Sequence, residues 1–444
     1  MTDITRRDFA KLSGLAAVAA AAGSATVAGG PKSARASITG VTGRPAELPK
    51  NKGPRVVVVG GGWSGLTIAK YLKKEAPEVD VVLIERREIF ISHPLSNLWL
   101  AGLADLELLA HSFLDAAKNN GYILHTATVI DVDRQKRRIY TEKGYVQYDY
   151  LVLAPGIEYD YASIGVRDPA DIQALETRYP AGFVSGQEYV SLKRKIDEFS
   201  GGVFAITIPS GIFRCSVTPY ERACMIASVF KRRKIKARIL VIDPRYNPAV
   251  AGEGFLAAFK DLYGDIIEYM NTTRVTSVDV GRKRIITEMD EISFDDASIY
   301  PRIRGSRLIE NLGLVDPKST QKEAAIDPFT YRAVADERVY VTGDNRPMPF
   351  SKSANTARTE GIYVARSIAA RLKGKTVPWQ TPVTLCYSVV NAEPREGISV
   401  KTTYRFDKAS NQWAYLSSKA LTKRSPALAD KAFEWARTQY RDMF

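Results

Sequence analysis

At 444 residues, with 45% hydrophobic and 25% charged residues, the chain is long enough for two or three globular domains and too apolar for a disordered tail. Its net charge of +14 suits a negatively charged protein partner, an anionic small substrate or an ordinary solvated basic surface, which charge alone does not rank, but the longest basic run, Lys231-Arg232-Arg233-Lys234, is short and sits at a helix end, which argues against a nucleic-acid arm. None of its three cysteines lies in a CxxCH motif or a CxxC pair, so it carries no c-type haem of its own, and no zinc site is expected from them and three scattered histidines.

Residues 1–36 read as a twin-arginine export signal. Arg6-Arg7-Asp8-Phe9 precedes an apolar run, Leu15 to Ala22, that is too short to span a bilayer, and Ala34-Arg35-Ala36 supplies a small-x-small cleavage site. Such export carries folded proteins, which suits a cofactor loaded in the cytoplasm and places the mature chain in the periplasm. Loss of this segment leaves 58 basic and 47 acidic residues, a net +11. Residues 37–50 form a Pro/Gly-bearing linker.

The next stretch organises the chain. Val56 to Val59 suit a strand buried on both faces of a parallel sheet, and Gly60, Gly62 and Gly65 follow at GxGxxG spacing. Gly60 permits the turn, Gly62 lets backbone approach a pyrophosphate, and Gly65 lets the helix pack on the strand. The second strand, Val81 to Ile84, ends on Glu85, placed to accept from ribose hydroxyls, with Arg86 beside it. This predicts dinucleotide binding and leaves FAD or NAD open.

Residues 103–119 have helical periodicity, Ile123 to Asp133 reads as a strand bringing Val129 toward an adenine, and a hairpin follows. The strand Tyr150 to Leu153 then ends in Ala154-Pro155-Gly156. Gly202 to Pro209, the helix Tyr220 to Lys234 and Ala237 to Asp243 make a second βαβ unit whose turn, Ile208 to Cys215, lacks GxGxxG. That turn would obstruct a pyrophosphate. Val339 to Asp344 is a further mark: a strand ending Gly-Asp puts a carboxylate on a ribityl hydroxyl of FAD, and a helix from near Asn355 points at the flavin. The cofactor is therefore expected to be FAD. The tail has two strands, Thr384 to Val390 and Ile398 to Phe406, and an amphipathic helix from Leu428 to Phe444.

The expected fold is α/β, with two Rossmann-like units and an α+β C-terminal region. The FAD unit occupies 51–165 and 299–377, the NAD-domain-like unit 166–298, and the C-terminal region 378–444. In an oxidising compartment the odd count of Cys215, Cys224 and Cys386 predicts one disulfide and one thiol.

Phe213-Arg214-Cys215 with Pro219-Tyr220-Glu221-Arg222-Ala223, and Cys386-Tyr387-Ser388 with Gly397-Ile398-Ser399-Val400, resemble the flavoprotein subunit of flavocytochrome c sulfide dehydrogenase, a relative of sulfide:quinone oxidoreductases. The segment Met348-Pro349 to Asn355 resembles that family's sequence beside the flavin. The resemblance implies a redox disulfide between Cys215 and Cys386, sulfide oxidation to sulfur or polysulfide through FAD, and a separate cytochrome c subunit as acceptor, with Trp435 and Tyr440 at the interface. HS⁻ attack on such a disulfide gives a persulfide and a thiolate. Glu221 is the acid/base candidate, and Arg214 and Lys352 the stabilisers of anionic sulfur or reduced flavin. One departure is plain: where many family members link FAD to cysteine, this chain has His93, so thioether attachment is excluded; non-covalent FAD is expected, the alternatives being an 8α-histidyl bond to His93 and a His93 ring that only stacks near the dimethylbenzene edge of the flavin. The alternatives are a quinone-reducing enzyme on the membrane surface, with the last helix in the interface, and a non-enzymatic electron-transfer or assembly partner. A purely structural Cys215–Cys386 staple and a Cys215–Cys224 bond also compete.

Overall fold

The structure is a computed structural model describing residues 43–184 and 186–444, so the export signal lies outside the described residues. Strand β1 (Arg55–Val59) has Val56, Val57 and Val58 fully buried, as a strand inside a parallel sheet requires. The chain turns at Gly60, with φ +100°, into α1 (Trp63–Glu75) and returns as β2 (Asp80–Glu85), parallel to β1. A Cβ on Gly65 would lie 1.9 Å from the carbonyl oxygen of Gly60, so only glycine lets the helix rest on the turn.

A short helix, α2 (Ser96–Leu100), follows. Between 103 and 119 the expected single helix is divided: helix Leu106–Leu109, a strand Ala110–Ser112 paired with Ile89–Ile91, and helix Phe113–Asn120. Ser112 caps the latter by accepting from the backbone N–H of Asp115, and this cap restarts the helix. The expected strand 123–133 also divides, into β3 (Ile123–Thr126) and Val129–Asp133, the latter leaving to form an antiparallel meander. Strand β4 (Tyr150–Leu153) pairs with the other side of β1.

The second sheet comprises β5 (Gly202–Thr207), β6 (Ala237–Ile242), β7 (Ile267–Met270) and β8 (Asp296–Ser298), all parallel in the order β7-β6-β5-β8. Helix α3 (Thr218–Arg232) joins β5 to β6, and α4 (Gly252–Tyr263) joins β6 to β7. The chain then rejoins the first sheet as β9 (Asp336–Val341) beside β4. Helix α5 (Ala354–Leu372) crosses α1 closely, a Cβ on Gly361 meeting Ser64 and Thr67 at 3.1 Å.

The tail forms an antiparallel sheet of β10 (Thr384–Ala392), β11 (Arg395–Asp407) and β12 (Gln412–Ser425), followed by α6 (Pro426–Met443). Strand β12 is not expected from the sequence, because most of its side chains are exposed and it shows no buried alternation. The end of α6 returns to the first sheet: Asp442 pairs with Lys70 at 3.2 Å and Arg358 at 2.6 Å, and the Tyr440 hydroxyl donates to Ser92 Oγ at 2.8 Å. Among the described residues no helix is long and apolar enough to cross a membrane.

The contact at Gly65 makes a direct prediction. Gly65→Ala must push α1 off the turn, and the overpacking should cost about 1–3 kcal/mol, read as a lower denaturant midpoint. An unchanged midpoint would mean that the turn yields without cost.

Candidate active site

At the carboxyl edge of the first sheet, the glycine turn, β4 and β9 converge. A Cβ on Gly60 would lie 2.3 Å from the carbonyl oxygen of Ala154, whereas Cβ atoms on Gly62 and Gly156 would meet nothing within 4 Å. Gly62 is also the N-cap of α1, which has no side-chain cap and no acidic residue in its first turn. Its first N–H groups thus face an open cradle suited to a pyrophosphate. Glu85, 6% exposed, accepts from the backbone N–H of Gly61 at 2.7 Å and from Arg87 Nε at 2.9 Å. Burial opposes its charge, but Arg87 overrides this and holds the carboxyl below its usual range. Arg86 does not join it. In extended chain the next side chain points away, so Arg86 is exposed and Arg87 takes the position. Val129 stands half-buried at the start of its strand. Trp63 Nε1 and Ser96 Oγ are buried without a protein partner, polar atoms that a bound dinucleotide could satisfy. These features fit FAD.

Asp344 is not on the strand itself. β9 ends at Val341, and Asp344 lies in the single turn Gly343–Asn345, its carboxylate 3.3 Å from Arg214 Nε. Arg214 also donates to the Phe183 carbonyl at 2.7 Å, and the Tyr300 hydroxyl accepts from its backbone N–H at 3.0 Å. Lys352 corrects an expectation: its ammonium pairs with Glu323 at 2.6 Å and donates to the carbonyls of Asp344 and Arg346, so it is no free cation for anionic sulfur. It is the Lys352 backbone that serves the site, its carbonyl accepting from the Cys215 N–H at 2.9 Å.

That bond holds Cys215, at φ +53°, at the mouth of a cavity of about 70 Å³ lined by His93, Leu95, Glu221, Cys386 and Trp435 among others. Cys215 comes from the loop before α3 and Cys386 from β10. They are free thiols facing one pocket, with no S–S bond between them; Cys224 is also free and lies fully buried in α3. Burial pushes the Cys215 thiol up to about 11, and burial with the nearby Cys215 and Glu221 raises Cys386 further above the usual thiol range. Glu221 accepts from the Val389 N–H and from Asn97 Nδ2, each at 2.8 Å. Burial pushes its carboxyl up to about 7 against these hydrogen bonds.

His93 is buried, with Nδ1 2.6 Å from the Tyr189 hydroxyl and Nε2 3.1 Å from Thr218 Oγ1. Burial and the charges of Arg214 and Arg222 keep the ring neutral. Tyr440, 4% exposed, is buried and not on an outer surface, whereas Trp435 is half-buried, lines the pocket and stacks on Trp63 at 5.6 Å. Asn97, Thr218 and Tyr189 carry no site signal of their own in the sequence, and Arg222 only a place in the segment that bears the resemblance; the packing of α2 against α3 and against the helix Gln187–Glu198 is what brings them together.

In the second βαβ unit the acid after the second strand is already engaged by the protein's own side chains. Asp243, at the end of β6 as Glu85 is at the end of β2, is fully buried and accepts from the hydroxyls of Tyr220 at 2.6 Å and Tyr269 at 3.0 Å and from Arg245.

Comparison with known proteins agrees with this geometry. A family model described as the central part of the sulfide dehydrogenase [flavocytochrome c] flavoprotein chain matches residues 190–301, and one for pyridine nucleotide-disulphide oxidoreductases matches 54–174. The sulfide dehydrogenase flavoprotein chain of Chlorobaculum thiosulfatiphilum is 51% identical over 43 residues, 10% of this chain and 90% of that sequence. The mitochondrial sulfide:quinone oxidoreductase of Schizosaccharomyces pombe is 20% identical over 351 residues, 73% of this chain and 75% of that one. The X-ray structure of the sulfide:quinone oxidoreductase of Aquifex aeolicus superimposes with a TM-score of 0.71 at 16% identity, covering 88% of this chain and 91% of that chain. The paired cysteines, the dinucleotide cradle and these likenesses place the chain in the family of flavoprotein sulfide dehydrogenases and sulfide:quinone oxidoreductases.

Proposed function

We propose that this protein is a periplasmic, FAD-dependent sulfide dehydrogenase that oxidises sulfide to sulfur or polysulfide through Cys215 and Cys386 and delivers electrons to a cytochrome c subunit. The observation that carries the reading is the meeting of these two cysteines, from distant parts of the chain, in one pocket with a buried carboxyl group. Gly60, Gly62, Gly65 and the start of α1 would hold the pyrophosphate of FAD, Glu85 the ribose, and Asp344 with the start of α5 the flavin end. When bound, FAD supplies a two-electron acceptor that can release electrons one at a time.

The free thiols seen in the structure are the two-electron-reduced state of the pair, and the chain's own chemistry begins from its oxidised state, with the cysteines joined as a disulfide. HS⁻ attacks one sulfur, the S–S bond breaks, a persulfide forms on that cysteine, and the other leaves as a thiolate. Burial disfavours charge on either sulfur, so the thiolate is short-lived unless its proton balance is managed. Glu221 lines the same pocket with a carboxyl near neutral pH, where it can both give and take a proton.

Two features support the finer parts of the reading. Leu428, Ala429, Ala432, Phe433, Ala436 and Met443 of α6 are already buried against the protein, leaving that helix no free apolar face for a membrane; this favours a soluble acceptor over a quinone. The matched family's description, a flavocytochrome c flavoprotein chain, supports a cytochrome as that acceptor. Both ring nitrogens of His93 are engaged by hydroxyl groups, which favours non-covalent FAD.

Cys215→Ser and Cys386→Ser should each abolish sulfide-driven bleaching of the flavin band in anaerobic stopped-flow while FAD stays bound; full activity in either variant would sink the mechanism. Acid precipitation should leave the flavin in the supernatant, and a fluorescent pellet would mean a bond to His93. With wild-type protein, sulfide should reduce added cytochrome c much faster than a soluble quinone; the reverse order would make it a quinone reductase.

A further inference from the structure

Resting on the acid–base reading of Glu221, we propose that Asn97, oriented by the Arg222 guanidinium, is the positioning residue that holds Glu221 ready to ionise. Asn97 is 1% exposed, with both its amide hydrogens and its oxygen engaged. Its amide nitrogen donates to the Thr218 carbonyl at 3.1 Å and to Glu221 Oε2 at 2.8 Å, and its oxygen accepts from Arg222 Nε at 3.1 Å. The amide has one workable orientation. Turned over, its oxygen would face a carbonyl and a carboxylate, and its NH₂ would face the Arg222 N–H.

Arg222 is the reason this orientation matters. It is 1% exposed and bonds only uncharged acceptors: Asn97, the carbonyls of Ala181 and Gly182, and Ser298 Oγ. No carboxylate lies within ion-pair distance of it among the described residues. Its field therefore reaches Glu221 through a polarised amide instead of being cancelled by direct contact. A direct ion pair would hold the carboxylate ionised; the intervening amide stabilises the charge less, against a burial that favours the acid.

The groups around Glu221 make it the one that changes charge near neutral pH. Burial pushes up the thiols of Cys215 on the loop, Cys386 on β10 and Cys224 on α3, while His93 across the pocket is held neutral and Arg222 remains a cation. Both hydrogen bonds to Glu221 come from N–H donors, which favour its ionised form. Removing the Asn97 donor leaves burial unopposed on that oxygen, so the carboxyl must bind its proton more tightly.

The test uses the FAD-loaded protein and the variants Asn97→Leu and Glu221→Gln. Infrared titration first identifies the protonated-carboxyl band that Glu221→Gln lacks, without sulfide present. In Asn97→Leu that band should persist to higher pH, its midpoint moving up by about one unit, a tenfold tighter proton. An unmoved midpoint overturns the proposal. If Asn97→Leu fails to retain FAD, Asn97→Val serves the same comparison with a smaller side chain. The pH profile of sulfide-driven flavin bleaching separates the two readings, since sulfide's own ionisation is common to all variants. A profile in Glu221→Gln identical to wild type would end the acid–base role of Glu221, whereas the infrared midpoint alone judges Asn97.

Discussion

The site depends on one backbone contact between distant parts of the chain, the Cys215 N–H donating to the Lys352 carbonyl at 2.9 Å. It pins the loop of the second sheet to the segment that follows β9 of the first, with Arg214 and Lys352 bridged as in a single parallel step. The charges on either side are arranged to keep that seam shut. Arg214 of the loop pairs with Asp344 across the junction, and Lys352 pairs with Glu323 within the first unit, so no charge at the seam is left uncompensated. Buried pairs of this kind add little net stability over apolar packing, but losing one partner leaves an unpaired charge and costs several kcal/mol. The seam is better understood as a device that fixes position. With Cys215 held at φ +53°, its sulfur can face β10 only while the loop stays in this register.

This arrangement explains why buried cations near the cysteine pocket differ in what they can do. Lys352 and Arg346 meet carboxylates, Glu323 and Glu360, and their fields are largely cancelled. Arg222 meets only neutral acceptors, and its charge stays available to the pocket. A basic residue count along the sequence cannot separate these cases, because the difference lies in which partners the fold supplies.

The same distinction marks the limit of what the sequence could tell. The glycine turn, β1, β2 and Glu85 were legible because GxGxxG spacing is dictated by steric contacts between adjacent residues, such as Gly65 against Gly60. The second βαβ unit and the final helix were legible from local periodicity. The break at Ser112, the exposed strand β12 and the choice of Arg87 over Arg86 were not, since each turns on a cap, a pairing or a pointing direction that periodicity averages away. At the site, Cys215, Cys386 and Glu221 are singled out by their chemistry and a family resemblance, and the fold brings them to one pocket. Asn97, and the contacts Arg222 makes beside it, are not legible because they exist only once α2 packs on α3.

The second sheet shows how such a site can be built on a nucleotide-binding frame. Its acid, Asp243, is satisfied by two tyrosines and an arginine, and its turn lacks the glycine spacing, so that unit has neither the glycine cradle nor the available acid of the first. The residues released from that duty form the loop from Ile208 to Val217, which delays the start of α3 and carries Cys215 out of its own sheet toward β10. His93 fits the same economy of parts. Its two ring nitrogens bind Tyr189 of the helix Gln187–Glu198 and Thr218 at the start of α3, so His93 ties the first unit to the second. The bond to Thr218 fixes the helix start that directly follows the loop carrying Cys215, so the first unit helps to hold that loop in place.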